Sequence, residues 1–285
     1  MPDFTIRELH TIDEFRDVVA LEQAVWGYTD FSDVVTVPVF VITVKRGAIL
    51  LGAFDEGGRM LGFSYAIVGL KDGRPIQWSH MTGVLPGRQG SGVGLALKLA
   101  QRDRALALGY DLIEWTFDPL QALNAHFNFA RLGAVVEEYT RNVYGESSSA
   151  LHKGTPTDRF VAQWHIREPH VERRIRSAGP YTMRAAEVAA APQAIRTAVV
   201  GGWRQCRALD LAIDARRLWV EIPGGFTRMQ AEAPDVALEW RMQTREAFEA
   251  YLSRGYRVVD FVLAPEDGWG RYLLALRDAA GAPAT

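Results

Sequence analysis

The residues with the clearest chemical content are Val84-Leu85-Pro86-Gly87-Arg88-Gln89-Gly90-Ser91-Gly92-Val93-Gly94. An apolar strand runs into a proline, a glycine-dense loop follows, and the spacing predicts a helix from Leu95. Glycines at positions 90, 92 and 94 leave neighbouring N–H groups uncovered by side chains. At a helix N-terminus such groups point outward, and the helix dipole favours negative charge there. The loop therefore reads as an anion cradle, and a pyrophosphate is the anion that suits it. A Walker loop is excluded, because Val93 and Gly94 follow Gly92 where Lys and Ser or Thr would be required. A dinucleotide fingerprint is excluded too: its third glycine would fall at Leu95 or Leu97.

The elements around the loop set its position. Ile49 to Phe54 and Leu61 to Leu70 read as two strands of a hairpin turned at Asp55-Glu56-Gly57-Gly58, and Ile76 to Leu85 as a third strand. Leu95 to Leu108 has the periodicity of an amphipathic helix, with Leu95, Leu99 and Leu106 apolar, Lys98, Gln101 and Arg104 opposite, and Gly109 as its stop. A strand from Asp111 to Phe117, a helix from about Ala122 to Leu132, a strand through Tyr144 and another from Asp158 to Ile166 follow.

The spacing Gln89-x-x-Gly92-x-Gly94 resembles the Q/R-x-x-G-x-G/A signature of the GNAT acyltransferases. Asn124-Ala125-His126-Phe127-Asn128-Phe129-Ala130-Arg131-Leu132-Gly133-Ala134 is similar to that family's second landmark, an alanine-containing helix ending in L-G-F. The resemblance covers residues 1 to about 168. It implies a mixed-sheet α/β core with splayed central strands, and acetyl-coenzyme A or another acyl-coenzyme A as donor. Arg88, Gln89, Gly90, Ser91, Gly92, Val93 and Gly94 would hold its pyrophosphate. Gly83, Val84, Asn124 and Phe129 would line its pantetheine arm.

Acyl transfer to an amine needs a base. Alternation along Gln77 to Val84 predicts that residues 78, 80, 82 and 84 share one face. His80 matches the second histidine of the H-x-H pattern of arylalkylamine N-acetyltransferases, which implies a base; imidazole suits that task near neutral pH. A histidine hydrogen-bonded within the sheet is the other reading. Glu114 is a second candidate base, acting through water, or else an ion-pair partner of an arginine. Asn124 would bond pantetheine amides or cap its helix. The family's thiolate-protonating tyrosine falls at Phe129, which has no proton to give. His126, water or unassisted departure would have to serve, since a thiol is a tolerable leaving group.

From Pro169 the composition changes. Arg173, Arg174 and Arg176 form a solvated or interdomain face, and residues 185 to 194 read as helix. Arg217 to Pro223, Val236 to Ser253 and Tyr256 to Leu263 read as strand, helix and strand. The helix end Phe248-Glu249-Ala250-Tyr251-Leu252-Ser253-Arg254-Gly255-Tyr256 echoes the L-G-F landmark, so residues 169–285 are expected to be a degenerate half-copy of 1–168 without a second coenzyme site. Its roles would be to wall the acceptor pocket or to form a homodimer surface. Trp240, Arg241, Thr244 and Arg245 are candidate anion-binding groups there or ordinary core and surface residues.

The 285 residues include one cysteine, Cys206, which excludes an intramolecular disulfide and a multi-cysteine metal site, and no metal is expected. A net charge of −2 offers no bulk field for nucleic acid. No apolar run is long enough for a membrane span, and Met1-Pro2-Asp3 begins no signal peptide, so a cytoplasmic location is expected. The expected activity is transfer of an acetyl, or another short acyl group such as succinyl, to a small-molecule amine such as an amino acid. A non-catalytic acyl-coenzyme A sensor and an interaction protein are the alternatives.

Overall fold

In the computed structural model, residues 3–28, 30–145, 154–177 and 190–277 are described. The chain divides into two compact units, one up to Trp115 and one from Thr116, with the line falling inside a strand. These units do not coincide with the 1–168 and 169–285 division.

The first unit begins with β1 (Phe4–Glu8) and α1 (Ile12–Trp26). A reciprocal capping box opens α1: Thr11 Oγ1 accepts from the Glu14 amide at 3.3 Å, and Glu14 Oε2 accepts from the Thr11 amide at 2.9 Å. Left-handed Gly27 closes it. The short helix α2 (Val37–Val44) precedes the strands β2 (Ile49–Asp55), β3 (Met60–Lys71) and β4 (Arg74–Val84). Strands β1 to β4 pair antiparallel in sequence order. The cradle then leads into α3 (Val93–Ala107) and β5 (Leu112–Phe117). The parallel ladder between β4 and β5 holds at Gln77↔Ile113 and Trp78↔Glu114 and ends there. These are the splayed central strands. The apolar core of this unit, including Phe15, Phe40, Phe63 and Tyr65, lies between α1, α2 and the sheet.

Helix α3 starts at Val93, two residues before the expected Leu95, and it buries a different stripe from the expected one. Val93, Leu97, Lys98, Gln101, Arg102 and Ala105 face inward, while Leu95, Leu99 and Leu106 are only partly covered. The reason is a buried polar network, described below, that draws Lys98 and Gln101 onto the sheet. The predicted amphipathic face is therefore corrected. Gly62 on β3 allows the close approach: a Cβ there would lie 2.7 Å from the Gly83 carbonyl oxygen and 3.2 Å from Val93 Cγ1.

In the second unit, α4 (Ala122–His126) passes into a π-helical turn, Phe127–Arg131, where a regular helix was expected. Gln121 is its N-cap, so Asn124 is not the cap. Strand β6 (Val135–Thr140) stops short of Tyr144, and β7 is Arg159–His165. Next come α5 (Pro169–Arg176), an unanticipated hairpin of β8 (Ile195–Val200) and β9 (Trp203–Leu209), and β10 (Arg217–Pro223). Helices α6 (Phe226–Glu232) and α7 (Pro234–Ser253) precede β11 (Tyr256–Ala264) and β12 (Trp269–Leu276). Residues 185–189 of the helix expected over 185–194 lie outside the described residues; 190–194 are not helical, and Gln193 makes a bridge to Trp219.

Two helix–hairpin elements of this unit share one spacing. Gly133 ends the helix before the β6–β7 hairpin, and Gly255 follows the helix before the β11–β12 hairpin, both with positive φ. Three residues after each glycine, Val136 and Val258 pair antiparallel with one another. Each strand then bulges at its next residue, so that Glu137 and Val259 are skipped in the two registers. Beyond the bulges, Tyr139 pairs with Phe160 and Phe261 with Tyr272. Phe160 and Tyr272 meet edge to face at 5.5 Å in an aromatic core that also holds Phe117, Phe129 and Phe248. Two helix–glycine–hairpin motifs are thus related by a local two-fold.

Gly62→Ala should force β4 or α3 to shift, costing about 1–3 kcal/mol. A thermal melt should show a drop of several degrees; an unchanged melting temperature would refute the close approach as the reason for glycine.

Candidate functional site

The cradle is built from two turns and a helix cap. Leu85 O accepts from the Arg88 amide at 3.0 Å, with Pro86 second and left-handed Gly87 third in the turn. That is the residue order of a type II turn. The next turn repeats it: Arg88 O accepts from the Ser91 amide at 3.4 Å and from Ser91 Oγ at 2.6 Å, with Gly90 at φ +78°. Gly92, at φ +89°, is the N-cap of α3 and has no side chain with which to cap it. The first intrahelical bond is Ala96 N–H to Gly92 O at 3.0 Å, so the amides of Val93, Gly94 and Leu95 precede the ladder. Arg88, Gln89, Gly90, Ser91 and Gly92 are all exposed. A Cβ built on Gly90 or Gly92 would meet nothing within 4 Å. Donors without a side-chain cap, in open space at a helix N-terminus, fit a phosphate or pyrophosphate.

Gly83 and Val84 approach the cradle along β4, paired with Phe63 and Gly62 of β3. A Cβ on Gly83 would lie 2.9 Å from the Trp26 ring, so the indole covers this backbone from the α1 side. Val84 faces α3, with its Cγ2 3.6 Å from the Cβ position of Gly94.

His80 sits at a β-bulge. Tyr65 pairs with Met81 and Ala66 with Ser79, so His80 is the extra residue. The bulge resets the alternation and corrects the expectation that residues 78, 80, 82 and 84 share a face. Thr82 and Ser79 turn to α3, whereas the His80 ring lies edge-on to Tyr65, centroids 6.1 Å apart, on the face towards α1 and α2. Bulges re-aim side chains in this way. The His80 side chain reaches solvent, yet the protein packed around it lowers its pKa below the ordinary histidine value.

Glu114, beside Trp78 at the end of the β4–β5 ladder, is buried and ion-paired with Lys71 rather than with an arginine. In the second unit Asn124 is exposed on α4, and Phe129 is fully buried against Phe117 and Tyr272. Arg241 is paired with Asp118 at 2.7 Å, and Arg245 makes two 2.8 Å bonds to Asp158. Trp240 Nε1 donates to Arg204 O, and Thr244 Oγ1 to Trp240 O.

Two charged groups on the first unit's interior surfaces went unrecognised. Lys98, expected on the polar side of its helix, is 3% exposed. Its ammonium donates to Ser79 Oγ at 2.9 Å and Gln101 Oε1 at 3.0 Å and lies 4.0 Å from the Trp115 ring centre. Gln101 in turn donates to Ser64, which bonds Thr82. Desolvation lowers the Lys98 pKa to about 7. Glu22 on α1 is fully buried; Oε2 accepts from the Val35 amide at 2.9 Å, and Oε1 has no hydrogen-bond partner among the described residues. Desolvation raises its pKa to about 7. Neither has a motif around it; only a charge placed at an inward helical position marks each one.

No protein-family model matches the sequence, and no curated protein is similar to it in sequence. Solved structures are similar in fold. A GNAT-family acetyltransferase from Streptococcus pneumoniae aligns over 56% of this chain and 98% of its own, at 18% identity and a TM-score of 0.44. For the ribosomal-protein-S18-alanine N-acetyltransferase from Escherichia coli the figures are 63%, 99%, 17% and 0.44. For a chain of the NatC complex bound to Gag peptide and CoA they are 57%, 98%, 13% and 0.46. Similarity at this level assigns no substrate or residue role.

The two buried charges give opposite pH signatures. Between about pH 4.5 and 7 the unfolded chain binds fewer protons at Glu22 than the folded one, so Glu22 makes stability fall as pH rises. Between about pH 7 and 10.5 the unfolded chain binds more protons at Lys98, so stability rises with pH. Urea melts should show Glu22→Gln gaining on the wild type from pH 5 to 8, and Lys98→Met losing ground to it from pH 7 to 9.5. Parallel pH profiles for variants and wild type would contradict both assignments.

Proposed function

We propose that the chain transfers an acetyl or other short acyl group from an acyl-coenzyme A to the amine of a small molecule, an amino acid being one candidate. The observation that carries this reading is the glycine-capped start of α3 at the end of β4, next to a strand pair that has separated. Bound at the open amides of residues 93 to 95, the coenzyme's pyrophosphate would fix its arm along Val84, Gly83 and the free side of β4. Arg88 would add charge.

In the reaction the acceptor nitrogen must be neutral when it attacks the thioester carbonyl. The C–N bond forms, the C–S bond breaks, and the thiolate leaves. His80, re-aimed by the bulge and with a depressed pKa, is the proposed proton acceptor. A β4 backbone N–H would polarise the carbonyl oxygen. Glu114, already ion-paired with Lys71, is assigned to holding the ladder end rather than to proton transfer. Phe129, fully buried against Phe117 and Tyr272, is assigned to the core of the second unit rather than to the pantetheine. One observation favours the second reading, a coenzyme-binding sensor: Phe129 supplies no proton to a departing thiolate. Location in the cytoplasm and assembly as a homodimer are proposed on the sequence alone; among the described residues no helix is long and apolar enough to cross a membrane.

Gly92→Val places a β-branched residue at positive φ, a strain of about 1–2 kcal/mol, and puts methyl groups where the phosphate would lie. Affinity for acetyl-coenzyme A should fall by about tenfold or more in calorimetry, and retained affinity would refute the cradle. His80→Ala should lower kcat by about 100-fold or more. It should also abolish the acidic limb of the pH–rate profile, which in the wild type falls below the ordinary histidine pKa. A variant with an unchanged profile would remove His80 as the base.

A further inference from the structure

The parallel ladder between β4 and β5 ends at Trp78↔Glu114. Carried one step further, its register would pair Ser79 with Trp115. Lys98 of α3 reaches both of these side chains. Its ammonium donates to Ser79 Oγ at 2.9 Å and lies 4.0 Å from the centre of the Trp115 ring. A third contact, to Gln101 Oε1 at 3.0 Å, ties it to the next turn of its own helix. One charge thus spans the first pair of residues at which the two strands have parted.

These partners suit an ammonium and not an amine. An ammonium has three N–H donors, which go here to two oxygens and to the negative face of an indole. A neutral amine has two N–H groups and a lone pair. With both donors kept on Ser79 and Gln101, the lone pair would face the ring and be repelled. Loss of the proton therefore frees the β5 side of the contact and spares the β4 side. The surrounding charges are engaged elsewhere. On α3, Arg102 lies 3.8 Å from Asp103, and Arg104 pairs with Glu8 of β1 at 3.2 Å. Arg7 of β1 pairs with Glu14, and Asp55 at the end of β2 accepts from the Arg59 amide. Glu114, paired with Lys71 of β3, projects to the face opposite Trp115, as does His80. Burial, rather than any of these groups, lowers the Lys98 pKa to about 7, so the proton exchanges near neutral pH.

We infer that Lys98 is a protonation-dependent clip at the inner end of the split: the ammonium holds Ser79 of β4 and Trp115 of β5 at one spacing, and the amine lets Trp115 go. Lys98 is then a positioning residue for an acyl-coenzyme A arm lying along the free side of β4. That role rests on the acyl-transfer reading; the clip itself does not. Clip and cradle share one rigid element, since Lys98 follows Val93 by about one and a half turns of α3. A single helix would present amides to the pyrophosphate and fix the spacing of the strands.

The test uses the whole chain with its indole nitrogens labelled for NMR, the Trp115 resonance being assigned with Trp115→Phe. In the wild type that resonance should move with pH about a midpoint near 7, and in Lys98→Met it should stay still. Acetyl-coenzyme A is titrated by calorimetry over the same range, in wild type and variant alike, so that the coenzyme's own phosphate titration cancels. Wild type should bind about threefold or more tightly than Lys98→Met at pH 6, and about equally at pH 8.5. Ser79→Ala keeps the ammonium but removes its hold on β4. Trp115 should still titrate in it, while the affinity advantage at pH 6 should be gone; this variant gives the comparison if Lys98→Met fails to fold. A wild-type Trp115 resonance that stays still from pH 6 to 9, or one that moves equally in Lys98→Met, overturns the inference. Parallel affinity profiles in wild type and Lys98→Met overturn the positioning role and leave acyl transfer standing. Lys98-dependent titration of Trp115 without coenzyme binding leaves the clip standing and removes the acyl-transfer reading.

Discussion

The functional account depends on one feature of the backbone: a helix whose N-cap is a glycine. Most helices satisfy an early amide with a Ser, Thr, Asp or Asn side chain. α1 does so here with Thr11. α3 does not, because Gly92 has nothing to offer, and two left-handed glycines before it fold the chain back without covering the opening. The uncapped amides and the α3 dipole then act together on whatever anion reaches them. Gly62 lets α3 lie close on β3, Val93 packs into that contact, and the buried Lys98–Gln101–Ser64–Thr82 network fixes the rotation of the helix on the sheet.

The cradle was legible from sequence because its information is local. Glycine spacing, Pro86 and the strand before it dictate the turns whatever the distant chain does. Strands β2 to β4 were legible for the same reason, through turn residues and apolar runs. His80 was found, but its direction was not, since alternation assumes an unbroken ladder and the bulge depends on pairing with β3. The burial of Lys98 and Gln101 was misread because periodicity treats polar residues as outward-facing. Five side chains satisfying one another across α3, β3 and β4 is a tertiary fact that no helical wheel contains. Glu22 was missed for a similar reason: its isolation in an aromatic cluster is visible only once α1 packs on the sheet.

The second unit shows how weak sequence similarity can hide strong geometric similarity. Leu132-Gly133 and Arg254-Gly255 share little but the glycine, yet the spacing from that glycine to the paired valine, the bulge and the aromatic pair is the same in both hairpins. Left-handed backbone at the glycine and a fixed bulge position constrain a hairpin more tightly than the identity of its side chains does. After β10, Pro223-Gly224-Gly225-Phe226 turns directly into α6. Its ion pairs, Arg241 with Asp118 and Arg245 with Asp158, bind the long helix α7 to earlier parts of the same unit.

The central claim is that the first-turn amides of α3 grip a diphosphate. Amide NMR spectra recorded during titration with acetyl-coenzyme A test it most directly. The account predicts that the resonances of Gly92, Val93, Gly94 and Leu95 move first and furthest, and that inorganic pyrophosphate moves the same set in the same direction. If the coenzyme binds while those four resonances stay still, the cradle is only a turn, and the acyl-transfer reading loses its support.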